Sequence, residues 1–306
     1  MKLIRLSSVL LLLVLLSACR NDDDGITPEP PRDLGEVAIE DDGEIRAFLE
    51  THFYNYEDFA APPADFNYQI VIDTLDEANA GKTPLMDQVI STAITVEDKD
   101  GNAVEHTLYY LIARQGTGEN PTVADSVLVR YRGNLLDGSL FDNSNVPLWF
   151  DLAQIQSPLG GALGVTARGF AEFVPELKTG VYVGDNNGLP VFDNYGIGMV
   201  IMPSGLAYFA TPRTGIPSYS PLIFAIDLFT YNDTDHDKDG LPSITEDRNN
   251  NNYLLDDDTD KDGLPDYLDA DDDNDGTLTI NEYDEDEDGI PDDSDGDGIP
   301  DYLDDN

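Results

Sequence analysis

The chain has 306 residues, of which 40% are hydrophobic and 9% aromatic, enough apolar content for one or two domains with real cores. Its formal net charge of −46 excludes nucleic acid as a partner, because phosphate recognition needs Lys and Arg. The same excess points to cation binding or to simple solubility, and the single cysteine cannot form an internal disulfide.

The first 19 residues join a short basic start, MKLIR, to an apolar run, SSVLLLLVLLSA, too short to stand across a membrane. The run ends in Leu16-Ser17-Ala18-Cys19, which resembles the lipobox of bacterial lipoproteins. That resemblance implies removal of the leader, lipidation of Cys19, and a membrane anchor made of acyl chains rather than a helix. The alternative is an ordinary secretory signal with a chance cysteine. Arg20 rather than Asp follows, which resembles outer-membrane sorting, so the expected place is an outer-membrane lipoprotein, periplasmic or surface-exposed. Residues 20–40 are acidic and then Pro-rich and read as a flexible tether.

Residues 41–105 form an N-terminal extension to which no chemistry can be assigned. Its start reads as a helix from Asp41 to Asp58, with Asp41 and Glu44 resembling a capping box and Ile45, Phe48, Leu49 and Phe53 on one face. AAPPADF then breaks the pattern, QIVIDTL reads as a strand, and DQVISTAITVED fits a helix or a strand. Residues 106–232 are mostly β. HTLYYLIARQGTG is a strand and turn, and SVLVRYRGNLL alternates so that Val127, Val129 and Tyr131 share a face. Asp137-Gly138 supplies a hairpin turn, and SPLIFAIDLFTY closes the region as another strand.

Composition changes at about residue 233. Residues 233–306 hold 30 acidic against three basic residues, a net −27 of the chain's −46, with too few apolar residues for an independent core. Such a segment is either disordered or folded around metal. DHDKDGLPSITE fits the D-x-[DN]-x-[DN]-G-x5-E loop, with Asp235, Asp237, Asp239 and Glu246 as ligands, and DDDNDGTLTINE fits with Asp271, Asp273, Asp275 and Glu282. Three more loops close on Asp rather than Glu: Asp258, Asp260 and Asp262 with Asp269; Asp284, Asp286 and Asp288 with Asp295; and Asp293, Asp295 and Asp297 with Asp304. DRNNNNYLLDDD, from Asp247, fits loosely, with Asn252 in place of Gly. The spacing suits calcium, a hard ion that takes six to eight oxygens, with alternate positions turned inward around a glycine. Four copies of DGLP or DGIP put Pro where a helix would have to start, which argues against helix-loop-helix hands. The pattern resembles the thrombospondin type 3 repeat, and folding here is expected to depend on the metal. A merely solvated acidic tail is the alternative.

Three ordered blocks remain: VLVRYRGNLLDGSLFDNS, RGFAEFVPELKTG and MPSGLAYFATPRTGIPSYSPLIFAIDLF. Together they resemble the central hairpin, the crossing helix, and the closing loop with last strand of the FKBP-type peptidyl-prolyl isomerases, from about Tyr109 to Phe229. The resemblance implies an α+β fold: an antiparallel sheet wrapped on a short helix, carrying the helical extension and the irregular calcium-loop tail. It carries Tyr131, Phe141, Asp142, Tyr208 and Phe224 onto the family's pocket positions. It makes Ile216 an apolar lip, and puts Phe170 and Leu148 where the family has other aromatics. Two insertions stand out, IQSPLGGALGV and VGDNNGLPVFDNYGIG.

The implied substrate is a proline-containing polypeptide, and the implied work is folding of exported or envelope proteins, with no catalytic cofactor. Amide rotation is slow because resonance must be lost, a barrier of ~18–20 kcal/mol. A dry aromatic pocket favours the twisted, less dipolar amide, and a positioned hydroxyl, here Tyr208, can bind the carbonyl. The competing readings are an FKBP-like module that binds such peptides without turning them over, and a calcium-stabilised structural or adhesion lipoprotein. Gly160–Gly164 and Gly81-Lys82-Thr83 lack the context of nucleotide loops, and His52, His106 and His236 are too scattered for a catalytic or zinc centre.

Overall fold

The computed structural model describes residues 30–155, 166–284 and 289–305. Contacts group 32–306 as one unit and 1–31 as another. Cys19, residues 20–29 of the tether, most of IQSPLGGALGV, and the ligand candidates Asp286 and Asp288 lie outside the described residues.

Helix α1 spans Leu34–Thr51 and is capped by Asp33, whose carboxylate accepts from the Glu36 N–H at 2.9 Å. The expected start at Asp41 is therefore corrected: the helix begins a full two turns earlier, inside the stretch read as tether. Ile45, Phe48 and Leu49 do lie on its buried face, joined by Leu34, Val37 and Ala38. Phe53 does not extend that face. It sits in strand β1 (His52–Tyr54), which pairs with β2 (Ile72–Thr74) across the short α2 (Tyr56–Ala60).

Asp41 is no cap. It is buried mid-helix, where it accepts from the Ser204 N–H at 2.7 Å and the Ser204 hydroxyl at 2.6 Å. Burial pushes its carboxyl up to about 6 despite those bonds. A carboxylate raised in the folded state holds its proton more tightly there, so this group adds stability as pH falls from about 6 toward 4. His106, also buried with neither ring nitrogen hydrogen-bonded, is held down at about 4 and acts in the opposite direction over the same window. Asp41→Asn keeps an acceptor for Ser204 but cannot titrate. Urea midpoints at neutral and mildly acidic pH should show the variant losing ground to the wild type on acidification, and a constant gap would refute the assignment.

Strands β3 (Ile90–Glu97), β4 (Ala103–Arg114), β5 (Ser126–Leu135), β6 (Leu140–Asp151), β9 (Gly196–Met202) and β10 (Leu222–Asn232) form one antiparallel sheet in the order β3-β4-β9-β10-β5-β6. The ambiguous DQVISTAITVED thus resolves as an edge strand, and the extension contributes to the sheet itself. Helix α3 (Arg168–Phe173) crosses one face, as expected of a short helix wrapped by a sheet. Alternation sorts the core. Leu108, Tyr110, Val200, Met202 and Phe224 pack with Phe170 and Phe173. Tyr109, Leu111, Met199, Ile201 and Ile223 pack with Ile45 and Leu49 of α1. Covered on both faces, β9 reads GIGMVIM with every residue buried. The insertion before the closing loop forms a separate hairpin, β7 (Val181–Asn186) with β8 (Leu189–Asp193).

The acidic segment contains 3-10 turns but no α-helix among its described residues. Pro242, Pro265 and Pro300 stand immediately before three of those turns, at Ser243–Glu246, Asp266–Leu268 and Asp301–Leu303. Its few apolar side chains are not independent. Leu254 and Tyr267 bury themselves against Val123, Ala124 and Ala153 beside the ends of β5 and β6.

Candidate active site and metal loops

The β5–β6 hairpin places the first pocket residues. Asp137 accepts from the Ser139 N–H at 2.8 Å, and Gly138 takes φ +84, which tightens the turn. Gly133 on β5 has a second duty. A Cβ there would come within 2.4 Å of the Phe141 ring and 3.1 Å of Phe224, so glycine lets both rings close over the strand. Tyr131 donates its phenol to Asp142 Oδ2 at 2.7 Å. Burial first, and then that bond to a carboxylate, push the phenol well above its ordinary range.

Helix α3 brings Phe170 up as a floor, and β10 brings Phe224. Phe224 stacks edge-on to Phe141 at 5.4 Å and to Phe170 at 5.5 Å, and Tyr131 lies tilted at 6.1 Å. The loop after β9 supplies Tyr208 and Ile216. Reciprocal backbone bonds between Arg213 and Ile216, both 2.9 Å, fold its tip over the cleft. The Arg213 guanidinium sits 5.2 Å from the Tyr208 ring centroid. Burial raises the Tyr208 phenol, so at neutral pH it is an uncharged hydrogen-bond donor. The loop is also tied back to the start of the unit, since the Arg32 N–H donates to the Tyr219 hydroxyl at 3.0 Å.

Tyr131, Phe141, Asp142, Phe170, Tyr208, Ile216 and Phe224 thus line one cleft of about 510 Å³. Leu148 does not. It is 43% exposed, and Phe150 lines the wall instead, 5.3 Å from Tyr131 and 5.6 Å from Phe170. The cause is a bulge. Val129 pairs with Leu148 and Tyr131 with Ser144, so β6 spends three residues opposite Arg130 alone. Positions counted along the chain from Asp142 therefore fall two short. Sequence reasoning also missed Thr166, Ala167, Arg213 and Thr214. For the prolyl peptide that the sequence resemblance implies, Phe150→Ala should reduce occupancy of the cleft roughly tenfold, about 1.4 kcal/mol. Leu148→Ala should change it little; fluorescence titration of both variants compares them, and equal losses would contradict this wall.

The acidic loops share one backbone plan. Lys238, Asn250, Lys261 and Asn274 have φ between +55 and +70 at the fourth position. Two residues later stand Gly240, Gly263 and Gly276, with φ near +100, and Asn252 at +62. Asn is the residue that tolerates this left-handed conformation next best after Gly, so the loosely matching Asp247 loop keeps the turn. The first-position carboxylates of Asp235, Asp247, Asp258, Asp284 and Asp293 each accept the N–H five residues on.

Ligand oxygens of Asp258, Asp260 and Asp262 converge within 4.8 Å, as do those of Asp271, Asp273 and Asp275, and of Asp293, Asp295 and Asp297. Asp237, Asp239 and Glu246 converge too, without Asp235 but with Asp272. Among the described residues Asp269, Glu282, Asp284 and Asp304 join none of these clusters, although burial, and then the three carboxylates of the Asp271 loop, push Glu282 up to about 7. Several oxygens in the clusters are buried with no hydrogen-bond partner. Buried charge of one sign demands a counter-ion or protons, and this donor set of carboxylate oxygens fits calcium.

The sequence relatives are FKBP-type peptidyl-prolyl isomerases. FkpA of Escherichia coli (strain K12) is 31% identical over 121 residues, which cover 40% of this chain and 36% of that protein. FkpA of Aeromonas hydrophila is 27% identical over 167 residues, 53% of each chain. The crystal structure of Escherichia coli FkpA aligns with a TM-score of 0.31 at 27% identity, over 45% of this chain and 51% of that one. The chain therefore spans about a third to a half of the length of these relatives. A separate family, described as BamM C-terminal, matches residues 236–290. No helix among the described residues is long and apolar enough to cross a membrane.

Proposed function

We propose that the chain is an FKBP-type peptidyl-prolyl cis-trans isomerase that acts on exported or envelope proteins, with a tail that binds calcium and a lipid on Cys19 as its membrane anchor. The observation that carries the catalytic reading is the cleft: five aromatic rings around one apolar floor, with a neutral phenol at its edge. In this reading a prolyl ring enters between Phe141, Phe170 and Phe224. The protein excludes water, and the partly twisted amide, being less dipolar than the planar one, loses less on leaving water. Tyr208 donates to the substrate carbonyl. Asp142 fixes the Tyr131 phenol and makes the rim negative. A gain of about 10³ to 10⁵ in rate requires only ~4–7 kcal/mol of differential binding.

A proline-isomer peptide assay on the purified protein tests this. Tyr208→Phe should lower kcat/KM roughly tenfold, about 1.4 kcal/mol, because it removes a bond formed best in the transition state. Asp142→Ala should act in the same direction. A protein that binds prolyl peptides yet leaves their isomer exchange at the uncatalysed rate is a binding module instead. Support for calcium comes from the convergent, partnerless carboxylates of the loops. Support for the lipid anchor is the sequence at Leu16–Cys19 alone, and mass spectrometry of the protein recovered from membranes tests it.

A further inference from the structure

We propose that Asp237, Asp239 and Glu246 of the first loop hold one calcium ion jointly with Asp272, which belongs to a different loop. The inference rests on the calcium reading of the tail and goes beyond it, because the loop formula gives Asp272 no role. In that formula the second position points away from the metal.

Four observations carry it. The ligand atoms of these four residues lie within 4.8 Å of one another. Asp239, Glu246 and Asp272 are only 1%, 3% and 2% exposed. Six of their oxygens are fully buried with no hydrogen-bond partner: Asp237 Oδ2, Asp239 Oδ2, both of Glu246 and both of Asp272. Finally, no Lys, Arg or His lies within ion-pair distance of the four among the described residues; in this segment Arg248 approaches Asp266 at 3.7 Å and His236 approaches Asp151 at 3.2 Å.

The second position explains why Asp272 is available. In the Asp258 and Asp293 loops it is Thr259 and Ser294, whose hydroxyls donate to the ninth-position Asp266 at 2.8 Å and Asp301 at 2.7 Å. In the Asp271 loop the ninth position is Thr279 instead. Its hydroxyl accepts from the Asp272 N–H at 3.2 Å, leaving the Asp272 carboxylate unengaged and aimed at Glu246. One oxygen from each of the four carboxylates converges, and two more unpartnered oxygens on Glu246 and Asp272 stand beside them, a hard-oxygen donor set of the kind calcium takes. A proton would bridge only two of them, and the remaining charges would stay buried and unpaired. Magnesium prefers to keep several waters, which a set of side-chain oxygens this enclosed does not favour.

Such an ion would do more than fill a loop. It would join the first loop to the Asp271 loop across the intervening Asp247 and Asp258 loops, closing the tail on itself.

Equilibrium dialysis with calcium on the full chain decides the matter. Asp272→Asn should bind one ion fewer than the wild type, or hold that ion at least tenfold more weakly. Glu246→Gln should lose the same ion, so the double variant loses one ion and not two. Asp273→Asn, which touches the Asp271 loop's own cluster, should lose a different ion, additively with Asp272→Asn. If Asp272→Asn binds as many ions as tightly as the wild type, or if the double variant loses two, the shared site is wrong while the calcium reading of the tail stands. If the wild type binds no calcium, both fall. Anomalous scattering from wild-type crystals grown with calcium gives an answer independent of any variant's folding: a peak between Glu246 and Asp272 is required, and its absence overturns the proposal.

Discussion

Removing calcium is expected to melt residues 233–305 while the six-stranded sheet stays folded. The tail buries little of its own. Its apolar contribution is small: Leu241, and a cluster of Leu254 and Tyr267, flanked by Ile244, Leu255 and Leu268, against Val123, Ala124 and Ala153. Against that stand carboxylates packed close enough to push Asp272 up to about 8 and Asp237 up to about 7, in both cases through burial first and neighbouring charge second. Each bound ion would stabilise the folded tail by about 2.7 kcal/mol at a hundredfold excess over its Kd, and several sites act on one short segment. Hydrogen exchange with and without a chelator reads the result directly. Amides that cross each loop, such as Asp266 to Asp257 and Asp301 to Asp292, should lose protection. Those of β9 and β10 should keep it. Protection in the tail that is indifferent to the chelator would count against metal-dependent folding.

The second large effect is expected at Phe224. It is buried, and its ring meets Tyr131, Phe141 and Phe170, so it is the hub of the cleft. Phe224→Ala should cost about 3–5 kcal/mol, the range for truncating a buried aromatic whose surroundings cannot collapse. Collapse is limited because Phe141 and Phe170 are fixed by the hairpin and by α3. Urea unfolding measures the loss, and the proline-isomer assay should show more than a tenfold fall with it. A cost under about 1 kcal/mol would mean the rings repack freely and the cleft is not preorganised.

Much of this arrangement was readable in the residues, for identifiable reasons. Alternation in VLVRYRGNL placed Val127, Val129 and Tyr131 on one face because a strand's side-chain period is fixed. The Gly repeated at the sixth position marked the acidic loops, with Asn252 standing in for it in the Asp247 loop. What failed was whatever depended on long-range context. Asp41 reads as a cap by its neighbours Glu44 and Ile45, but Ser204, far along the chain, takes it into the interior and the helix runs through it. Leu148 was misplaced although Pro147 in NSNVPLWF is a residue that strands keep for edges and bulges; how many residues the bulge takes is set only by the register against Arg130. Asp272 was overlooked because its partners Glu246 and Asp239 belong to another loop.

The way the tail meets the sheet has a practical consequence. His236 reaches Asp151 at 3.2 Å, and the Arg168 guanidinium, on the helix that carries Phe170, lies 4.3 Å from the Tyr253 ring centroid. Trimming the polypeptide at Asn232 would therefore strip Arg168 of its aromatic neighbour and leave Val123, Ala124 and Ala153 bare to water. A shortened version would inherit a sticky flank and a loosened floor helix. Poor solubility or sluggish turnover in such a fragment would report the amputation, not the competence of the intact molecule.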